Sequence, residues 1–339
     1  MKWYESHETN KSPVISSRIR LARNLEAYQF SARIEGREAC EMIAEVRRAA
    51  TGFAYSDPAK ADRAARLSMV ENHEISPEIF SLGPERPIGL LSRESDSSAI
   101  MLGEEDHIRI QTIKAGEDLD GAFELANKID DLLESALGYA YHKDFGYLTS
   151  CPTNTGTGLR ASYMVHIPML ERTGNLARIV SGLAKLGMTV RGIYGENSKP
   201  FGSIYQISNQ VTLGKSEAEI ISALKSTCAQ LIENEQELLR RAFASDSADM
   251  EDVIYRALGL LTHARKFSLS EAMDNLSAIR VGAISGILPE NARGMPIYNV
   301  MMNIEPGNLQ KRVGRNLNEG EIQAERAKYL REMFSGRQE

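Results

Sequence analysis

Beyond about residue 245 the sequence offers almost no strands, and that change of character limits what the chain can fold into. Residues 248–266, 268–282 and 318–334 carry apolar residues at helical spacing. Upstream, both periodicities occur. Residues 35–50, 121–137 (closed by Gly138), 171–187 (stopped by Gly187) and roughly 216–241 read as helices. IRIQTIK (108–114) and ASYMVHIP (161–168) read as strands. Segment 86–102 reads as two short strands around a polar turn, and 188–194 with 202–213 as a hairpin around GENSKP. Residues 1–34 look irregular. The expectation is a mixed α and β unit over 1–245 and a helical one over 246–339, joined in the polar stretch ASDSADMED.

The 339 residues suffice for two domains, and 42% apolar residues can build a sizeable core. A net charge of -6 provides no global basic field, so nucleic acid is not an expected partner. No apolar run approaches the roughly 20 residues that span a bilayer, and the start MKWYESHETNKS lacks a secretory apolar region. Cys40, Cys151 and Cys228 are odd in number and far apart. They argue against a disulfide framework or zinc site and for a reducing cytoplasm.

Four clusters can carry chemistry. The first is Arg18, Arg20 and Arg23 in SSRIRLARN (16–24), where Arg18 and Arg20 share one side if the segment is extended, and paired guanidinium forks suit phosphate oxygens. The bland alternative is a solvated basic stretch. In GEEDHIRIQ (103–111), a strand end would place Glu105, His107 and Arg109 on one side and Glu104 and Asp106 on the other. Otherwise it is a charged turn. In LTSCPTNTGTGLRAS (148–162), Cys151 precedes a loop whose Gly156 and Gly158 would let backbone N–H groups approach an anion, and Arg160 opens the next strand. The glycine spacing is that of neither a P-loop nor a dinucleotide fingerprint, and Cys151 read alone is equally a small core residue. In VRGIYGENS (190–198), Arg191 precedes a loop carrying Glu196, which by itself is an ordinary hairpin glutamate. Five arginines with a few acids and a cysteine form a plausible cradle for a triphosphate, its magnesium and a cationic acceptor.

In this order, SSRIRLARN, EEDHIRIQ, LTSCPTNTGTGLRAS and RGIYGENS resemble the motifs of the phosphagen (guanidino) kinases over residues 13 to 214, and most nearly those of the bacterial protein-arginine kinases of the McsB type. The resemblance implies a curved antiparallel sheet flanked by helices, the glutamine synthetase/guanidino kinase catalytic fold, with a helical C-terminal domain for dimerisation or substrate capture. It places nucleotide-phosphate contacts on Arg18, Arg20, Arg109, Arg160 and Arg191. SMVENHEISPE places a nucleotide-side histidine on His73, which would otherwise read as a surface residue. Flanking residues Ser16, Ser17, Ile19, Ala161, Ser162, Tyr163, Met164, Gly192, Ile193, Tyr194, Gly195 and Glu196 fall in the ATP-binding motifs. Glu105 and Glu196 fall on the substrate-side acids, Cys151 on the thiolate, and Glu104 on an acid that holds Mg2+ through water.

Departures are Gly103 for the usual asparagine, Met164 for a second histidine, and NEGEIQAERAKYLRE (318–332), which lacks the Arg-Asp pair of a phosphoarginine-reading motif. The chain starts almost at the first arginine motif, without the small N-terminal domain of phosphagen kinases. The implied activity is ATP-dependent phosphorylation of arginine in cytoplasmic proteins, marking them for Clp-type proteolysis in stress. Implied partners are an activator protein, a Clp ATPase and further copies of the chain in a homodimer or higher oligomer. Two rivals are a kinase for free arginine or another small guanidine, and a non-catalytic ACT-like module over 164–213.

Overall fold

A computed structural model describes residues 2–83, 85–192 and 201–335. Ten strands are present among them: β1 (Val14–Arg23), β2 (Ala54–Ser56), β3 (Gly89–Arg93), β4 (Ser98–Leu102), β5 (Ile108–Ala115), β6 (Tyr141–His142), β7 (Gly146–Tyr147), β8 (Leu159–His166), β9 (Met188–Arg191) and β10 (Ile204–Asn209). Eight form one sheet in the order β2-β3-β4-β5-β1-β8-β10-β9, and β6 and β7 pair separately. Every registered pair in the large sheet is antiparallel.

The segment 1–34, read as irregular, contains β1, the long strand at the sheet's centre. Arg18 and Arg20, at alternate positions on one face of the strand, disguise an amphipathic pattern. Ile19 and Leu21 face the core, and pairing with β5 and β8 on both sides decides the conformation.

The helices of the first part are α1 (Gly36–Ala49), α2 (Arg63–Glu71), α3 (Pro77–Ser81), α4 (Leu119–Glu134), α5 (Pro168–Arg172), α6 (Leu176–Lys185) and α7 (Glu217–Ser245). α1, α4, α6 and α7 bury Val46, Ala126, Leu183 and Leu224 with Ile19, Leu21, Ile110 and Ile207 of the sheet. The helix expected over 171–187 is two helices, broken at Gly174, which adopts a left-handed φ of 70°. α2 and α3 lie where no element was expected.

The remaining helices are α8 (Ser247–His263), α9 (Leu269–Ile284), α10 (Glu290–Arg293), α11 (Ile297–Asn303), α12 (Pro306–Val313) and α13 (Glu319–Phe334). They share a second core with residues from the other face of the sheet. Ile254, Leu276, Tyr298 and Leu330 pack there with Ile15, Ile113, Met164, Ile204 and Trp3. The sheet is therefore covered on one face by α1, α4, α6 and α7 and on part of the other by the C-terminal helices.

Arg23 separates from its neighbours in the arginine run. Its odd position puts it on the face of Ile19 and Leu21, where it is 1% exposed. Nε and Nη2 donate to Asp130 Oδ2 at 3.1 and 2.6 Å, and Nη1 donates to the carbonyls of Ala22 and Thr157. Its guanidinium also lies 3.6 Å from the centre of the Tyr147 ring. This arginine ties β1 to α4 and to the loop after β7. Asp130→Ala would strand a buried cation, so urea unfolding of that variant is expected to show a loss of about 3–5 kcal/mol.

Candidate active site

Strand alternation and register build the site. Directly paired residues of adjacent strands share a face. Arg20 pairs with Arg160 on one side and Gln111 on the other, Arg18 with Ser162, and Ala22 with Arg109. Ser16 pairs with Met164, Met164 with Gln206, and Gln206 with Arg191. Arg18, Arg20, Arg109, Arg160 and Arg191 thus stand on one face of the sheet, opposite α1, α4 and α7.

These charges oppose one another. Burial, then the nearby Arg160, pushes the Arg18 guanidinium down to about 10. Burial, then Arg18, Arg160 and Arg109, holds Arg20 well below its ordinary value, and Arg20 Nε is buried without a hydrogen-bond partner. Arg109 behaves differently. Burial would lower it, but Glu104 and Glu105 outweigh that and raise it. It donates to Glu104 Oε1 at 2.8 Å and to Glu105 Oε2 at 3.1 Å. Arg160 donates to Ser208 Oγ. Such a surface is complementary to a polyanion, whose charge would offset the repulsion among Arg18, Arg20 and Arg160.

The acids do not follow the alternation expected of a strand end. Residues 103–107 form a turn closed by Gly103 N donating to His107 O. Gly103 has φ 73°, and a Cβ there would lie 2.7 Å from Pro87 O, so the turn needs this glycine. As a result Arg109 reaches both Glu104 and Glu105, which the alternation would have set on opposite sides. Glu104 is 2% exposed and receives Ser76 Oγ at 2.9 Å. Burial pushes its carboxyl up against the pull of Arg109. Its Oε2 is buried and unpartnered. Glu105 is exposed.

Asp106, which the sequence left without a role, joins the two loops. Its Oδ1 accepts from Asn24 Nδ2 and from Ser150 N, both at 2.7 Å. Asn24 Oδ1 in turn accepts from His107 N. Glu105 and Cys151 are each one residue from the ends of the Asp106–Ser150 bond. Cys151 is half-buried, with Sγ 3.0 Å from Thr153 Oγ1. The glycines beside it serve chain packing. Gly156 N donates to Tyr147 O, and Cβ atoms on Gly156 and Gly158 would meet the carbonyls of Thr212 and Ala22 at 2.8 and 2.6 Å.

Several flanking residues point elsewhere. Ile19, Ala161 and Tyr163 lie in the core under α1, α4 and α7. Ser17 Oγ donates to Gly116 O and accepts from Asp118 N. The side chains of these four face away from the arginines, a correction that strand alternation imposes. Ser16 and Ser162 are buried on the arginine face, and Met164 on that face belongs to the core shared with the C-terminal helices. Gly192 is buried. Ile193, Tyr194, Gly195 and Glu196 lie outside the described residues.

His73 is 8% exposed, not a surface residue. Its Nε2 lies 3.0 Å from the Tyr298 hydroxyl, and its carbonyl accepts from Gln111 Nε2 at 2.6 Å. Burial, then Arg18 and Arg20, pushes its pKa down to about 3. In the tail, Ile322 is a core residue, and Arg326 is buried with donors on the carbonyls of Ile304 and Phe267.

The chain matches the ATP:guanido phosphotransferase C-terminal catalytic domain over residues 36–238 and the protein-arginine kinase McsB C-terminal domain over 247–339. It is 40% identical to the protein-arginine kinase of Caldanaerobacter subterraneus subsp. tengcongensis, covering 95% of this chain and 96% of that one. It is 38% identical to that of Halothermothrix orenii over 97% and 95% of the two chains. Among solved structures it is similar to a lombricine kinase (26% identity, TM-score 0.58, 68% of this chain and 67% of that one). A duplicated taurocyamine kinase from Schistosoma mansoni, 22% identical with TM-score 0.61, shares the fold over 76% of this chain and 40% of that one.

A histidine held neutral in the folded state gives a pH signature. The unfolded value is about 6.5. The stability contributed by neutral His73 is therefore complete above pH 6.5 and is lost as pH falls toward 3. Relative to His73→Gln, the wild type is expected to lose about 2 kcal/mol between pH 7.5 and pH 5. Urea unfolding of both proteins at the two pH values measures this. The chain belongs to the ATP:guanido phosphotransferase family and, within it, to the protein-arginine kinases, which makes it an ATP-dependent phosphotransferase.

Proposed function

We propose that the chain transfers the γ-phosphoryl of ATP to arginine side chains of proteins, with the arginine face of the sheet as the phosphate cradle. The observation that carries this reading is the crowding of Arg18, Arg20 and Arg160 on paired positions of one sheet face, where burial first and then one another's charge depress Arg18 and Arg20. A triphosphate offsets it, and electrostatic stabilisation of transferring phosphate is the main demand of the reaction. In this reading Arg18, Arg20, Arg109, Arg160 and Arg191 bind phosphate oxygens, and neutral His73 lies on the nucleotide side. The buried, unpartnered Glu104 Oε2 fits a hard cation bound through water. Magnesium, when bound, neutralises part of the phosphate charge.

Glu105 and Glu196 grip the guanidinium, and Cys151 orients it. A guanidinium is protonated at any usable pH and is a poor nucleophile. Orientation by two carboxylates and the Cys151 sulfur aligns one nitrogen with the γ-phosphorus. The N–P bond forms as the P–O bond to the β-phosphate breaks. ADP leaves with the electron pair, and the guanidinium nitrogen gives its proton to Glu105 or Glu196. The C-terminal helices from about 246 onward form the domain for dimerisation or substrate capture. The chain works in the cytoplasm, where its products are marked for Clp-type proteolysis.

Glu105→Ala is expected to lower kcat by about 10²–10⁴-fold with ATP binding nearly intact, since it removes one of the two acids that grip the guanidinium and not a phosphate ligand. Isothermal titration with ATP and a turnover assay separate the two effects, and normal turnover would remove Glu105 from the mechanism. Cys151→Ala is expected to fold and to turn over slowly, with ATP protecting the wild type against thiol alkylation. The overall reading is tested by mass spectrometry under non-acidic conditions on casein and on free arginine side by side. Acid-labile phosphoarginine on casein supports it. Turnover of free arginine alone makes the acceptor a small guanidine, and acid-stable phosphoserine overturns the reaction class.

A further inference from the structure

The C-terminal helices reach the arginine face through Tyr298 of α11. This tyrosine is 1% exposed, and its hydroxyl is the group 3.0 Å from His73 Nε2. Its ring centre is 5.3 Å from that of Trp3, which is itself 6.0 Å from the His73 ring. His73 has φ 58°, a left-handed conformation that a non-glycine residue holds only when its surroundings fix it.

Those surroundings come largely from the C-terminal part. α12 grips α2 and the residues just before His73. Glu71 accepts from Gly307 N and Asn308 N, both at 2.7 Å. Asn308 Nδ2 donates to Asn72 Oδ1 at 3.1 Å, and Ser68 Oγ donates to Asn308 Oδ1 at 2.7 Å. A Cβ on Gly307 would lie 2.6 Å from Ser68 N, so the two segments meet at backbone distance. On the far side of His73, Ser76 donates to Glu104, and Gln111, the register partner of Arg20, holds the His73 carbonyl.

We propose that Tyr298 is a positioning residue for ATP: its hydroxyl fixes the His73 ring beside Arg18 and Arg20, so that the C-terminal helices complete the nucleotide site. The inference rests on the reading of His73 as a nucleotide-side residue. A ring held in place before binding need not be ordered by the ligand, and that saving appears as affinity. The role differs from dimerisation or substrate capture, because it concerns the nucleotide and acts within one chain.

The test is a double-mutant cycle on the full chain, with ATP affinity read by isothermal titration and the KM for casein and kcat read by turnover. Tyr298→Phe keeps the ring in the core and removes only the hydroxyl. It is expected to weaken ATP binding about three- to tenfold, the range of one lost hydrogen bond. kcat at saturating ATP and the KM for casein should stay within about twofold of wild type. In a His73→Phe background, which itself weakens ATP, Tyr298→Phe should add nothing. If Tyr298→Phe fails to fold, Asn308→Ala, which loosens α2 without touching the ring, replaces it in the same cycle. Unchanged ATP affinity in Tyr298→Phe, with His73→Phe weakened, overturns the inference alone. Equal losses in both backgrounds make Tyr298 a packing residue and also overturn it. Unchanged affinity in His73→Phe removes His73 from the nucleotide side, and the inference fails with that reading.

Discussion

Repulsion among like charges on one face of a β-sheet is the constraint to which the rest of this molecule answers. Arg18, Arg20 and Arg160 stand on neighbouring positions of two paired strands, half-buried, with burial and one another as the dominant influences on their charge. Hydrophobic burial has to come from elsewhere to offset that cost. It comes from the same strands. Ile19 and Leu21 alternate with Arg18 and Arg20, and the sheet face they form is packed by α1, α4 and α7. The period-2 geometry that builds the core also aims the charges, so the two cannot be adjusted independently. A slip of one residue in β1 would exchange them.

The contrast among the arginines shows how the fold distinguishes structure from site. Arg23 and Arg280 are fully buried, and both have acceptors. Arg23 has Asp130 and two carbonyls, while Arg280 donates to the carbonyls of Thr9 and Ser12. Buried cations with partners are the ordinary solution. Arg109 is intermediate, held by two acids that still leave Glu104 Oε2 unpartnered. Arg280 and Arg20 each keep a buried Nε without a partner, but Arg280 also donates to two carbonyls, whereas the charges beside Arg20 are chiefly Arg18, Arg160 and Arg109. Reading the arginines in that order separates those that hold the chain together from those whose acceptors must come from outside.

The sequence made much of this legible. The long amphipathic helices α4, α7 and α13 and the strands β5 and β8 follow from periodicity alone, because their apolar residues are many and regular. β1 did not, since basic residues at its alternate positions look like a solvated stretch until two neighbouring strands are known. The turn at 103–107 was misread as a strand end for the reason that Gly103, the residue that makes it turn, carries no periodic signal. The pairing of His73, which the family resemblance singles out, with Tyr298 was beyond reach in a different way. They lie 225 residues apart and meet only because α12 packs on α2, and α2, α11 and α12 are short helices whose burial is tertiary. Asp106 stood in plain view within a motif, but its function as a link depends on Asn24 and Ser150, which no spacing rule brings together.

The placement of Asn24 bears on how the two halves of the proposed reaction stay aligned. It directly follows β1, the strand that carries Arg18 and Arg20, and it holds Asp106, which in turn holds the backbone of Ser150 beside Cys151. The phosphate side and the guanidinium side are thus fastened to one extended segment. At roughly 3.3 Å per residue, four residues separate Arg20 from Asn24 by about 13 Å along the strand. A strand paired on both sides is stiff, so that spacing is fixed by the sheet and not by the loops. In-line transfer gains its rate from alignment held to fractions of an ångström, and loops alone hold position poorly. Asp106 is 0% exposed and keeps one oxygen without a partner, a standing cost in a buried carboxylate. That cost is intelligible if what the residue supplies is the coupling of two loops to a rigid strand, because an apolar side chain of the same volume would fill the space and leave both loops untethered.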